Sequence, residues 1–267
     1  MAASAGMRFA ELCDLISRAT GVDLFPYRAL HYRDLAHALE RGEVAVAWMP
    51  PIPTIELDDR GAATVLALPV RRGVVAYHTA LFSGPRGPRL LDELKGTRAA
   101  WVDRESASGH LVARMHLSTH RYDLSTLFSR QTFLHSHEAV VRSVVSGRAD
   151  VGATFCTIDP TTRAVAHGAW TSHEGHMTDQ VQILATAGPI PNDAVIASTE
   201  LDEEVRHKLL SWFLEPDPAA LPLFGHLLRA EGFRAARAAH YAPLRRLIAE
   251  AKALGYGPPS AKTRLKA

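Results

Sequence analysis

Residues Trp101 to Val112 read W-V-D-R-E-S-A-S-G-H-L-V, and this stretch limits the possible folds more than any other. Arg98 to Val102 (R-A-A-W-V) is a short apolar run of the kind that forms a buried strand, and it stops at Asp103. Ser106-Ala107-Ser108-Gly109 is a small, hydroxyl-rich turn, after which Leu111, Val112 and Met115 recur at helical spacing. Strand, tight polar turn and helix in succession aim the unpaired N–H groups of the helix's first turn at one spot. The aligned peptide dipoles add about half a positive charge there. Two hydroxyls and a glycine let an oxyanion approach closely. The same residues also suit an ordinary serine N-cap, so the rest of the chain has to decide.

The pattern repeats. Val44 to Trp48 (V-A-V-A-W) is too continuously apolar for a sheet with one wet face and suits a strand covered on both sides. Phe9, Leu12, Leu15 and Ile16 mark a first helix closed by Gly21, and Tyr32 to Arg41 marks a second closed by Gly42. Asp23 to Tyr27 reads as a short strand broken by Pro26, and Met49-Pro50-Pro51 as the stop after Trp48. Ala63–Leu68, Val74–Phe82, Asp150–Phe155, Val181–Ala185 and Ala194–Ala197 are further strands. In F-L-H-S-H-E-A-V-V-R-S-V-V-S-G, Ser136 is a natural N-cap with His137 in the first turn. From Asp202 the chain reads as helix, interrupted at Pro216, Pro218 and Gly232. Strands alternating with helices predict an α/β fold with mainly parallel sheets.

Composition excludes several classes. A chain of 267 residues, 47% hydrophobic and 22% charged, can bury a real core, and a formal charge of +2 does not suit a nucleic-acid binder working by bulk electrostatics. No run approaches the ~18 apolar residues of a membrane-spanning helix. Cys13 and Cys156 are far apart, which speaks against a disulfide framework or a cysteine zinc site. The N-terminus has no basic segment followed by an apolar one. That predicts a cytoplasmic chain as written, and a periplasmic one if the start is truncated. His135 with His137, and His173 with His176, lack a carboxylate or cysteine at a metal-site spacing, so neither metal nor cofactor is expected.

Several segments in fixed order resemble the phosphonate/phosphite-binding family of periplasmic solute-binding proteins. They are H-Y-R-D-L-A-H-A-L-E-R-G-E-V-A-V-A-W, Ala76-Tyr77, L-L-D-E-L-K-G ahead of W-V-D-R-E-S-A-S-G-H-L-V, S-H-E-A, G-P-I-P-N-D-A-V-I-A and A-H-Y-A-P-L-R-R-L. The resemblance runs from about Tyr32 to Leu247. It implies a two-lobed type II periplasmic-binding-protein-like fold, each lobe a mainly parallel sheet flanked by helices, with a ligand cleft between lobes that closes by a hinge. Residues 1–75 plus 189–267 would form one lobe and 76–188 the other. It further implies an oxyanion (phosphonate, phosphite or phosphate) on the helix starts at Ser106, Ala107, Ser108, Gly109 and His137. Tyr32 and Tyr77 would line the opposite wall, and Asp193 would meet a cationic part of the ligand. Members usually carry an export signal and begin with a strand, whereas this chain opens in a helix.

Each residue also has a plainer reading: Tyr32 and Tyr77 as rim or core aromatics, Asp193 as a turn former, Cys156 as a buried structural thiol. His137 at the positive end of a helix should be a neutral donor. Two functions follow. One is a binding protein, including a sensor that passes closure to a partner protein or a permease. The other is a cytosolic enzyme on the same scaffold, of the chorismate dehydratase-like class. With no acid/base pair beyond His137 and Asp193, and no catalytic residue assigned, binding is read ahead of catalysis.

Overall fold

The structure is a computed structural model and describes residues 2–171 and 177–256. Helix α1 (Ala2–Thr20) buries Leu12 and Ile16 on one face and ends at Gly21, whose positive φ of 69° only glycine adopts cheaply. Then come α2 (Tyr32–Glu40), β1 (Val46–Met49), α3 (Pro51–Asp59), β2 (Ala63–Val70), β3 (Ala76–Ser83) and β4 (Thr97–Trp101). A π-helical turn, Ala107–Leu111, leads directly into α4 (Val112–Thr119). It is followed by β5 (Phe128–Phe133), α5 (His137–Val145), β6 (Val151–Ile158) and β7 (Val165–Gly168). The last elements are β8 (Gln182–Pro191), β9 (Ala194–Ser198), α6 (Glu203–Leu214), α7 (Ala220–Leu223), β10 (Gly232–Ala235) and α8 (Ala238–Ala253).

The chain forms two compact units. The first holds Met1–Val75 and Pro191–Tyr241; the second begins at Ala76, runs to Ile190, and takes up the chain again from Ala242. The resemblance implies residues 189–267 in the first lobe. Residues 242–256 instead belong to the second unit, where Arg114 donates from Nε to the Tyr256 hydroxyl at 2.9 Å and stacks over its ring.

The first unit has a four-stranded sheet of order β1-β9-β2-β10. Its three ladders are all antiparallel, which corrects the expectation of a mainly parallel sheet here. The reason is topological. Strands β1 and β2 do run in one direction, as a β–α–β unit requires, but β9 returns late in the chain and inserts between them pointing the other way. All five residues of β9 are buried, as a central strand demands. Leu12, Ile16, Val195, Trp212, Phe213, Phe224 and Phe233 make the core around it.

Two other expectations fail here. Asp23 to Tyr27 forms no strand: Pro26 lacks a ladder donor and Phe25 is 85% exposed. Met49-Pro50-Pro51 does stop β1, as expected, and the same prolines start α3, since proline at the first helical position loses no hydrogen bond. Gly232, read as a break between helices, opens β10 instead.

The second unit holds a six-stranded mixed sheet of order β5-β4-β6-β3-β8, with β7 added on β6. Strands β5, β4 and β6 are parallel, and β3 runs antiparallel to β6. Helix α4 covers one face, packing Ala113 and Leu117 on Leu81, Ala99, Trp101 and Ala153. Helix α5 covers the other, packing Val140, Val141 and Val144 on Ala80, Phe82, Ala100 and Cys156. Both helices follow parallel strands, so both start at the same edge of the sheet.

Candidate functional site

That edge is the carboxyl end of β4, β5 and β6, the place where ligands bind in open α/β sheets. The turn after β4 is built by its own side chains. Ser106 caps the helix, its Oγ accepting from the Gly109 N–H at 3.1 Å, and its carbonyl accepts from Leu111 at 2.9 Å. Gly109 is required for contact rather than for backbone conformation: a Cβ there would lie 2.5 Å from Val102 Cβ and 2.7 Å from Ser106 Oγ. Ser108 is 3% exposed, and its carbonyl accepts from the Thr79 hydroxyl at 2.6 Å. Its own hydroxyl has no partner among the described residues, and the N–H groups of Ala107 and Ser108 lie in the first turn, where a helix has no preceding carbonyl of its own to accept them.

His137 opens α5 behind the Ser136 cap, whose Oγ accepts from Ala139 N–H at 3.1 Å. Its Nδ1 stands 2.8 Å from the hydroxyl of Thr154, a fully buried residue of β6, and its ring meets Phe155 edge-on with centroids 5.0 Å apart. Burial pushes its pKa down to about 4, so the ring is neutral at physiological pH. The sequence reading assigned this neutrality to the helix dipole; desolvation is the dominant cause. With Thr154 donating to Nδ1, the proton sits on Nε2 and the ring becomes a neutral donor. The second unit thus gathers Ser106, Ala107, Ser108, Gly109 and His137 at one sheet edge, with Tyr77 and Thr79 on the adjoining end of β3.

Tyr32 and Asp193 lie in the first unit, and they keep company there. Asp193 Oδ2 accepts from Arg71 Nη2 at 3.4 Å, and the same Nη2 donates to the Leu228 carbonyl at 3.0 Å. The guanidinium also stands over the Trp48 ring, 5.9 Å from its centroid. Burial raises the Asp193 carboxyl above its ordinary range, and Arg71 pulls the other way. The Tyr32 hydroxyl, raised first by burial, also feels both Asp193 and Arg71. Buried close by, the Tyr241 hydroxyl has no hydrogen-bond partner among the described residues. Asp193 therefore already holds a cation, Arg71, which nothing in the sequence around it marks as its partner. Thr79, Thr154 and Trp48 also escaped the sequence reading.

Among the described residues no three His, Cys, Asp or Glu side chains are grouped to hold a metal, and His173 and His176 lie outside those residues. No described helix is long and apolar enough to cross a membrane. Cys156 is buried, and desolvation pushes its thiol up to about 12, far from a nucleophile's range.

Two α/β units joined by repeated crossings of the chain, one of them presenting two helix starts at a sheet edge, define the class of two-lobed, type II periplasmic binding proteins. Within it, the chain belongs to the family described as ABC transporter, phosphonate, periplasmic substrate-binding protein, whose pattern matches residues 3–241. Similar solved structures include XAC2383 from Xanthomonas citri bound to ATP (21% identity, TM-score 0.74, covering 94% of this chain and 95% of that one). A binding protein component of an ABC phosphonate transporter from Pseudomonas aeruginosa is 20% identical, with TM-score 0.67 and coverage of 94% and 82%. PhnD1 from Prochlorococcus marinus in complex with methylphosphonate is 16% identical, with TM-score 0.64 and coverage of 92% of each chain.

Proposed function

We propose that this protein binds a small oxyanion, a phosphonate, phosphite or phosphate, on the second unit's sheet edge and closes on it by a hinge. The observation that carries the reading is the pair of helix starts at one edge, each capped by a serine, with first-turn N–H groups, the Ser108 hydroxyl and a neutral His137 beside them. Neutral donors aimed by structure suit an anion that is held and released. Closure would be read by an ABC permease or by another partner protein, as family membership suggests.

Catalysis on the same scaffold finds less support. Of the two titratable candidates, Asp193 is already paired with Arg71, and His137, its pKa pushed down to about 4 by burial, is a neutral ring at physiological pH with no carboxylate among its hydrogen-bond partners. Calorimetry with methylphosphonate, phosphite and phosphate is the test, with ATP, found in the Xanthomonas citri relative, in the same panel. One of the three oxyanions should bind and be recovered unchanged. Ser108→Ala should weaken it by about 1–3 kcal/mol, the cost of losing a charge-assisted hydrogen bond. Binding unaffected by that replacement, or no binding of any oxyanion, would overturn the proposal.

A further inference from the structure

Away from the sheet edge, α4 ends on two histidines that the binding site does not use. His116 and His120 are four residues apart, so their rings leave the same side of the helix. The ring centroids are 4.2 Å apart, with planes tilted by 51°. His120 folds back over the helix end, its Nδ1 2.8 Å from the His116 carbonyl oxygen. A carbonyl only accepts, so the proton belongs on Nδ1 and the Nε2 lone pair is left free. A carbonyl fixing the far nitrogen in this way is the usual support of a metal-bound imidazole. His120 is exposed, and the half-buried His116 ring makes no hydrogen bond among the described residues. The helix's last carbonyls add the negative end of its dipole, which favours a cation.

The plain alternative is a pair of surface histidines at a helix end. What sets this pair apart is the distance. Two imidazoles on one ion, at about 2.0–2.1 Å from it, hold their ligating nitrogens roughly 3 Å apart. Ring centroids 4.2 Å apart put both imidazoles within reach of one ion. We propose that His116 and His120 form a two-imidazole chelate for a borderline divalent transition-metal ion, Cu²⁺ ahead of Ni²⁺ and Zn²⁺, with water completing the coordination.

The test uses the untagged full chain titrated with Cu²⁺, followed by calorimetry and electron paramagnetic resonance. One ion should bind with splittings from two imidazole nitrogens. His116→Gln and His120→Gln should each weaken it about tenfold or more and remove the two-nitrogen signature, whereas His135→Gln should leave both unchanged. Zn²⁺ should raise the melting temperature of the wild type and not that of His120→Gln, whose exposed position keeps the fold intact. Undiminished Cu²⁺ affinity and signature in His120→Gln, or no binding by the wild type at stoichiometric Cu²⁺, would overturn the assignment.

Discussion

Replacing Gly109 by alanine probes the oxyanion turn with a single methyl group. The new Cβ would come 2.5 Å from the Val102 Cβ and 2.7 Å from Ser106 Oγ. Neither atom is the end of a flexible side chain, since one is the branch point of a strand residue and the other is held in the cap. The turn must therefore move. Overpacking of this kind costs about 1–3 kcal/mol, and loosening the Ser106 cap adds about 1 kcal/mol. For a chain of this size each kcal/mol lowers the melting temperature by about 2–4 °C, so a fall of about 4–16 °C is expected. Oxyanion affinity should fall about tenfold or more, because the first-turn N–H groups of Ala107 and Ser108 swing away from their common target. Gly6→Ala supplies the control: it lies inside α1, nothing stands within 4 Å of its added Cβ, and it should stabilise by about 0.5–1 kcal/mol. Thermal melts and calorimetry on both variants decide the matter. If Gly109→Ala melts as high as Gly6→Ala and binds as well as wild type, the reasoning about this turn is wrong.

Thr154→Val keeps the shape of a buried strand residue but removes the hydroxyl on His137 Nδ1, and should cost about 0.5–1.5 kcal/mol of oxyanion affinity by calorimetry. Arg71→Gln strips Asp193 of its counter-charge, so the carboxyl should take up a proton at still higher pH. A carboxyl raised in the folded state contributes stability at low pH that is lost as pH rises through its folded pKa; the variant's deficit in denaturant melts should therefore grow with pH and shrink in acid. His110, His116 and His137 are each lowered to about 4 by burial, so between roughly pH 6.5 and 4 the unfolded chain binds protons that the folded one refuses. Melting temperature should hold above that window and drop through it, with a shallower slope in His137→Asn. An unaltered slope would contradict the burial of that ring.

What could be read from residues in order was local. A cap, its helix and the strand before it occupy a dozen consecutive positions, and the starts at Ser106 and Ser136 are visible on that scale. Partners that arrive from elsewhere are not. Thr79 reaches Ser108 across 29 residues, and Arg71 reaches Asp193 across 122. Strand direction failed for the same reason. V-A-V-A-W announces a strand covered on both faces, but the antiparallel neighbour it receives is set by where β9 returns. Asp23 to Tyr27 shows the converse, since suitable residues form no strand without a neighbour to pair with.

The late arrival of β9 also orders events on the ribosome. Strands β1 and β2 do not pair with each other; β9 joins them, and it begins at Ala194. A nascent chain of 190 residues therefore contains almost the whole second unit in one uninterrupted piece, but no paired sheet for the first. The N-terminal 75 residues must wait, with Val46, Trp48, Val65 and Leu66 lacking their partner strand, through the synthesis of more than a hundred further residues. At about 5–20 residues per second that delay lasts on the order of ten seconds. During this interval the apolar strands of the half-made unit lack their sheet partner, and slowing translation between residues 76 and 190 would lengthen that exposure.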